Sequence, residues 1–165
     1  MLTRNQLQTL QVSRRYGIGR LLLLARRDFL ERLADRMRGD ETVMSLAQGH
    51  KAVMNQASGR LLPFIDLDGT RSVDLAKRLG VSKQAVGRLV KELEEAGLLH
   101  REPDGADKRA FLVKFTEPGL EYLKCMHASI QQIEDEYMAL VGAERMQAVR
   151  EALSLITYGE AQALK

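Results

Sequence analysis

One cysteine, Cys125, stands in the whole chain. That excludes an internal disulfide framework and suits a reducing compartment. Proline and glycine, at 3 and 13 residues, are too few for a low-complexity linker, and no repeat of solenoid period is present. The longest apolar run, Leu21 to Ala25, is flanked by Arg20 and by Arg26 and Arg27, far short of the ~20 residues a bilayer requires. The opening residues Met1 to Gln6 hold no apolar signal core, so a cytoplasmic protein is expected. The three histidines, His50, His100 and His127, lack metal-ligand spacing. There is no glycine-rich phosphate loop and no Ser-His-Asp or paired-carboxylate constellation. Cys125 and His127 lie two apart on a helical stretch and point different ways, so they form no nucleophile–base dyad. The expectation is a protein without catalysis, metal or cofactor.

What is present is a chain of 165 residues, 45% hydrophobic and 28% charged, long enough to bury a core of its own. Its net charge of +3 is unevenly spread. Residues 1–38 carry nine arginines and three acids, whereas residues 115–165 carry four bases and eight acids. Opposite charge at the two ends is expected if the terminal segments lie against each other, or if two surfaces are merely solvated differently.

The periodicity predicts a helix over 13–38, with Ile18, Leu21, Leu22, Ala25, Phe29, Leu33 and Met37 at three- and four-residue steps. Leu23, Leu24, Leu30 and Ala34 widen its apolar stripe beyond one core face, which predicts burial on more than one side and hence a second subunit. A second helix is expected to end near 61–66. The stretch 67–71 reads as a turn at Asp68-Gly69. Ser72 is the expected N-cap of the next helix, with Asp74 in its first turn and Gly80 stopping it. Ser82 is the expected cap of a further helix whose apolar positions Ala85, Val86, Leu89, Val90, Leu93 and Ala96 share one side. The three-residue connector between them has helix-turn-helix length. Two strands are expected at 98–102 and 110–115 around a Pro- and Gly-bearing hairpin. A long helix capped by Thr116 and a last one past Gly142 complete the order.

The predicted architecture is mainly α (α+β): a winged helix-turn-helix with helical extensions at both ends. The expected organisation is a dimerization region over 1–40 and 118–165 and a DNA-binding domain over 45–117, with the helix-turn-helix at 72–96 and the wing at 98–115.

The helix after Ser82 carries Lys83, Gln84, Arg88 and Lys91 and no acid between 83 and 91. An α-helix fits the major groove, where each base pair shows a distinct donor and acceptor pattern. Lys83 and Arg88 suit guanine, Gln84 suits adenine, Lys91 suits phosphate, and Ser82 can cap the helix or bond a phosphate. Gly87 is expected where the backbone comes close to DNA. Glu92, Glu94 and Glu95 come later, away from the groove. Arg71 and Ser72 are placed to touch the DNA backbone or to cap.

This stretch, "LDGTRSVDLAKRLGVSKQAVGRLVKELEEAGLLHREPDGADKRA", with "FTEPG" where Leu-Thr-x-x-Gly is usual, resembles the MarR (multiple antibiotic resistance regulator) family of bacterial transcription factors. The resemblance is strongest over 60–120. It implies that Arg109 of the Asp-x-Arg wing motif enters the minor groove, that Asp107 fixes its direction, and that Lys108 meets phosphate. It further implies a cytoplasmic homodimer on a pseudo-palindromic operator, controlled by a small molecule, often an aromatic acid, held between the dimerization and DNA-binding parts. Cys125 lies in the helix after the wing, not near the start of the first helix where this family's peroxide sensors carry theirs, so a structural thiol is expected. The rival readings are a winged-helix protein-interaction module and a non-specific or architectural DNA binder.

Overall fold

The computed structural model describes residues 2–46, 61–105 and 110–159. The chain divides into two compact units, one formed by residues 1–33 with 129–165 and the other by residues 34–128.

The first unit is helical. Helix α1 (Arg4–Tyr16) begins in a capping box. The Gln6 N–H donates to Thr3 Oγ1 at 3.3 Å, and the Thr3 N–H donates to Gln6 Oε1 at 2.9 Å. The expected single helix over 13–38 is therefore two helices, and the first begins nine residues earlier than expected. Gly17 breaks them: its backbone is extended (φ −62°, ψ 132°), and a Cβ there would stand 2.5 Å from the Ser13 carbonyl oxygen. Helix α2 (Ile18–Gly39) follows, its first turn closed by the Leu21 N–H on the Gly17 carbonyl at 3.1 Å.

The end of the chain adds the later part of α6 (Glu117–Val141) and α7 (Ala143–Tyr158). Leu33, Ser129 and Ile133 are buried in this unit. A polar cluster ties α2 to α6. The Tyr137 hydroxyl donates to Asp28 Oδ2 at 2.7 Å, Arg32 Nε donates to the same oxygen at 2.7 Å, and Arg32 Nη1 reaches Glu136 at 3.1 Å. The Arg32 guanidinium lies 5.8 Å from the Tyr137 ring centroid. Burial first, and then the bond to Asp28, push the Tyr137 pKa up to about 12. The Arg32 and Tyr137 bonds hold the Asp28 carboxyl below its usual range.

Much apolar surface in this unit has no cover among the described residues. No residue of α1 or α7 is buried. Leu7, Leu10, Ile18, Leu21, Leu22, Leu23, Leu24, Leu140, Val149, Leu153 and Ile156 are all exposed.

The second unit holds the end of α2, α3 (Glu41–Leu46), a 3-10 turn (Leu62–Phe64), β1 (Thr70–Arg71), α4 (Ser72–Leu79), α5 (Lys83–Glu95), β2 (Leu99–Pro103), β3 (Phe111–Phe115) and the start of α6. The helix expected to end near 61–66 falls mostly outside the described residues; within them the stretch holds the 3-10 turn at Leu62–Phe64. The stretch 67–71 is more than a turn: after the bend at Gly69 (φ 102°), Thr70 and Arg71 form a third strand. The antiparallel sheet has the order β1-β3-β2, with Thr70 opposite Val113 and Leu99 opposite Phe115.

Strand alternation turns Leu99, Val113 and Phe115 inward. They join Leu61, Leu62, Leu75, Val86, Val90, Leu93 and Leu98 in one core. Burying each such Leu stabilises the fold by roughly 1.5–3 kcal/mol. Ahead of the helix-turn-helix, Arg78 grips Asp66 with two bonds, at 2.7 and 3.0 Å, and donates to the Phe64 carbonyl at 2.8 Å. That grip holds the Asp66 carboxyl below its usual range.

Candidate nucleic-acid interface

The local chemistry that aims α5 is short-range. Gly80 ends α4 in the left-handed region (φ 63°), a conformation open to glycine at little cost. Ser82 then caps α5, its Oγ accepting from the Ala85 N–H at 3.2 Å. Of the two roles open to Ser82, the structure shows the cap. At the other end Gly97 takes φ 72°, the Leu98 N–H donates to the Leu93 carbonyl at 3.0 Å, and the Gly97 N–H donates to Glu94 at 2.9 Å. That pair is a Schellman motif.

Val86, Val90 and Leu93 face inward. The opposite face presents Lys83, Gln84, Arg88 and Lys91, all exposed. Lys83 and Arg88 make no ion pair among the described residues. Lys91 lies 3.7 Å from Glu95 in an exposed i,i+4 pair, a contact worth at most about 1 kcal/mol and easily exchanged for another anion. Glu94 is turned away, 3.3 Å from Arg101 of β2. A Cβ built on Gly87 would meet nothing within 4 Å. No close packing within the described residues therefore accounts for a glycine in mid-helix.

Asp107, Lys108 and Arg109 lie outside the described residues. The base of the wing is described. The Asp104 N–H donates to the Ala110 carbonyl at 2.9 Å, and the buried Asp104 carboxylate accepts from Arg71 Nε at 2.5 Å. The expected N-cap at Ser72 needs correcting. Arg71 occupies the N-cap position of α4 without a side-chain cap, and Ser72 is the first helical residue. The Arg71 side chain is engaged with Asp104 because β1 pairs with β3 and so brings it to the wing.

Thr116 caps α6 as expected, but its contacts with Gly97 and Leu98, and the reason for Gly119, were not foreseen. The Thr116 hydroxyl donates to the Gly97 carbonyl at 2.5 Å and accepts from the Gly119 N–H at 3.0 Å. The Leu98 carbonyl accepts from the Thr116 N–H at 3.0 Å, and a Cβ on Gly119 would lie 1.9 Å from that same oxygen. The Thr-x-x-Gly segment thus locks the end of α5 to the start of α6. The signal was the motif itself, but its reason is a contact made by the strand segment before it.

This unit also contains an open groove of about 750 Å³, lined by Leu62, Ile65 and Leu67 on one side and Leu120, Leu123 and His127 on the other. Lys124 stands at its rim, 3.0 Å from Glu121. Nearby Cys125 is half-buried, and burial, followed by the carboxylates of Asp40 and Glu121, raises its pKa. That favours the less nucleophilic thiol over thiolate. Among the described residues no His, Cys, Asp and Glu group could hold a metal, and no helix is long and apolar enough to cross a membrane.

Residues 55–110, which span the helix-turn-helix and most of the wing, match the model of the MarR family. Over this stretch the chain is similar to the MarR family. Solved structures agree at the level of fold. A MarR-family transcriptional regulator from Rhodococcus sp. RHA1 aligns over 86% of this chain and 92% of its own at 21% identity, with a TM-score of 0.66. CouR from Rhodococcus jostii RHA1 bound to p-coumaroyl-CoA aligns over 87% and 93% at 21% identity, TM-score 0.66. MepR of S. aureus in complex with DNA aligns over 86% and 96% at 16% identity, TM-score 0.63. Mainly helical architecture with a small antiparallel sheet is thus the MarR fold, as the sequence led one to expect.

Proposed function

We propose that the protein is a homodimeric MarR-type transcriptional regulator of the cytoplasm, a repressor that binds a specific pseudo-palindromic site in double-stranded DNA. The observation that carries this reading is the outer face of α5, where Lys83, Gln84, Arg88 and Lys91 surround an unobstructed Gly87 with no acid before Glu92. In the major groove, Lys83 and Arg88 would donate to guanine O6 and N7, Gln84 would pair with adenine, and Lys91 would meet phosphate. Ser82 sets the first turn of that helix and brings its N–H end toward the DNA. The wing would place Arg109 in the minor groove, directed by Asp107, with Lys108 on phosphate.

The regions 1–40 and 118–165 would make the dimer. Support comes from the uncovered leucines of α1 and α2 and from the exposed apolar residues of α7. The basic start of the chain and its acidic end complement each other across such an interface. A patch of this kind on a soluble chain calls for a partner.

DNA binding would respond to a small aromatic acid. CouR, similar in fold, is bound to p-coumaroyl-CoA, and the groove beside α6 offers apolar walls with Lys124 and His127 as polar contacts. A coupling of roughly 1–3 kcal/mol between ligand and DNA changes occupancy about 5- to 150-fold.

The test is selection of bound duplexes from a random DNA pool, followed by affinity measurement against salt. A specific reader enriches one inverted repeat with half-sites about one turn, ~10 bp, apart. A purely salt-dependent affinity with no enriched sequence would make it an architectural binder. No affinity for duplex DNA would leave a protein-interaction module.

A further inference from the structure

We propose that Arg71 and Asp104 form a positioning pair that fixes the wing to the helix-turn-helix, so that wing and recognition helix engage DNA as one body. This rests on the DNA-binding reading above.

The wing is a weak element by itself. Its two strands have five residues each, and β1 adds only two. An isolated hairpin of this size is marginal in water. The outer side of the hairpin is held by charges that are half-buried at Lys114 and Glu102 and exposed at His100. Lys114 lies 2.5 Å from Glu102, and His100 stands 3.7 Å from the same carboxylate. Such contacts contribute little.

The Arg71–Asp104 pair differs from these. Asp104 is 7% exposed. Its carboxylate takes the Nε–H of Arg71 at 2.5 Å and a second donor from Nη2, while its own N–H closes the last described rung on Ala110. Arg71 stands at the N-cap position of α4 and pairs in register with Leu112 of β3. One side chain therefore joins the start of the helix-turn-helix to the far end of β2, 33 positions on. Breaking a buried charge pair by removing one partner is costly, so loss of either residue should loosen this contact. The pair sits where both strands of the wing leave the sheet, at the base of the hairpin.

The experiment uses the full chain and the duplex that the wild-type protein selects. Asp104→Asn, Arg71→Met and the double variant remove the charge pair at nearly constant volume. A swapped pair, R71D with D104R, is the rescue control. The expected result has two parts. Without DNA, amide exchange quickens across β2 and β3 while that of α5 is unchanged. With DNA, each single variant loses roughly tenfold in affinity and the double variant little more, as coupled partners do. The order of preference among bases under α5 stays as in the wild type, while protection of the minor groove beyond them is lost. Recovery of that protection in the swapped pair would confirm that charge pairing, not the residue types, sets the wing. Unchanged exchange in the wing, or lower thermal stability with wild-type affinity and footprint, would overturn the proposal. If the wild-type protein selected no duplex, the DNA reading would fall, and the exchange data would still decide whether the pair holds the wing.

Discussion

Gly87→Ala should separate folding from recognition, because the proposed role of α5 gives the two opposite signs. Glycine in the interior of a helix is less favourable than alanine by about 1 kcal/mol, through the backbone entropy it loses on folding. At Gly87 the added methyl group meets nothing within 4 Å, so no steric cost offsets that gain. The free protein should become more stable by about 1 kcal/mol, a rise of roughly 2–4 °C in Tm for a domain of this length. The same methyl group would stand between Gln84, Arg88 and Lys91 on the face assigned to the groove. There it holds the helix away from the base edges, and affinity for the selected duplex should fall at least about tenfold, or ~1.4 kcal/mol. Calorimetric melts and fluorescence anisotropy on the same preparation read both effects. A higher Tm with unchanged affinity would show that this face does not approach DNA. A lower Tm would show that another part of the protein fills the space, and the reasoning about Gly87 would fail at its first step.

Gly119→Ala should do the reverse of Gly87→Ala: a Cβ placed 1.9 Å from the Leu98 carbonyl oxygen forces backbone apart and should cost about 3 kcal/mol or more in a denaturant titration. Tyr137 has a folded pKa raised from 10.0 to about 12, so its contribution is complete below pH 10 and is lost as the pH rises toward 12. Because the side chain is only half-buried, the loss should be no more than about 2 kcal/mol, and Tyr137→Phe should flatten alkaline unfolding between those limits. Light scattering should give a dimer for the full chain. Exchanging exposed Leu21 and Leu24 for Glu should weaken that dimer by about 2 kcal/mol or more, and a wild-type mass in that variant would place the interface elsewhere.

The parts of the fold legible in the sequence are those governed by neighbours in the chain. Gly80, Ser82 and Gly97 punctuate the two helices of the helix-turn-helix within a few residues, and the apolar period of α5 is unambiguous. The strand segments of the wing could be read for the same reason. Helix α1 was harder, since Leu7 and Leu10 make a thin stripe, and Gly17 sits inside a pattern that continues on both sides. A lone glycine in such a pattern is often tolerated; here the extended backbone ends the helix.

Strand β1 could not be read, because two residues have no period and their pairing with Val113 and Leu112 is remote in sequence. For that reason too Arg71 looked like a cap or a phosphate contact rather than the partner of Asp104. At the candidate site, residue types and spacing along α5 marked the exposed face. The Lys91–Glu95 pair and the turning of Glu94 toward Arg101 depend on side-chain placement that spacing alone does not state. The lock around Thr116 and Gly119 depends on where the Leu98 carbonyl lies, which no local pattern states.

The measurement that tests the central claim most directly compares the duplexes selected by the wild-type protein with those selected by Arg88→Ala and Lys91→Ala. If α5 reads the major groove, Arg88→Ala should cost roughly 1–3 kcal/mol and relax preference at one base position, repeated symmetrically in both half-sites. Lys91→Ala should weaken all duplexes about equally and lower the salt slope by about 1. Identical base preferences and affinity in wild type and Arg88→Ala would contradict the assignment of this helix to base recognition.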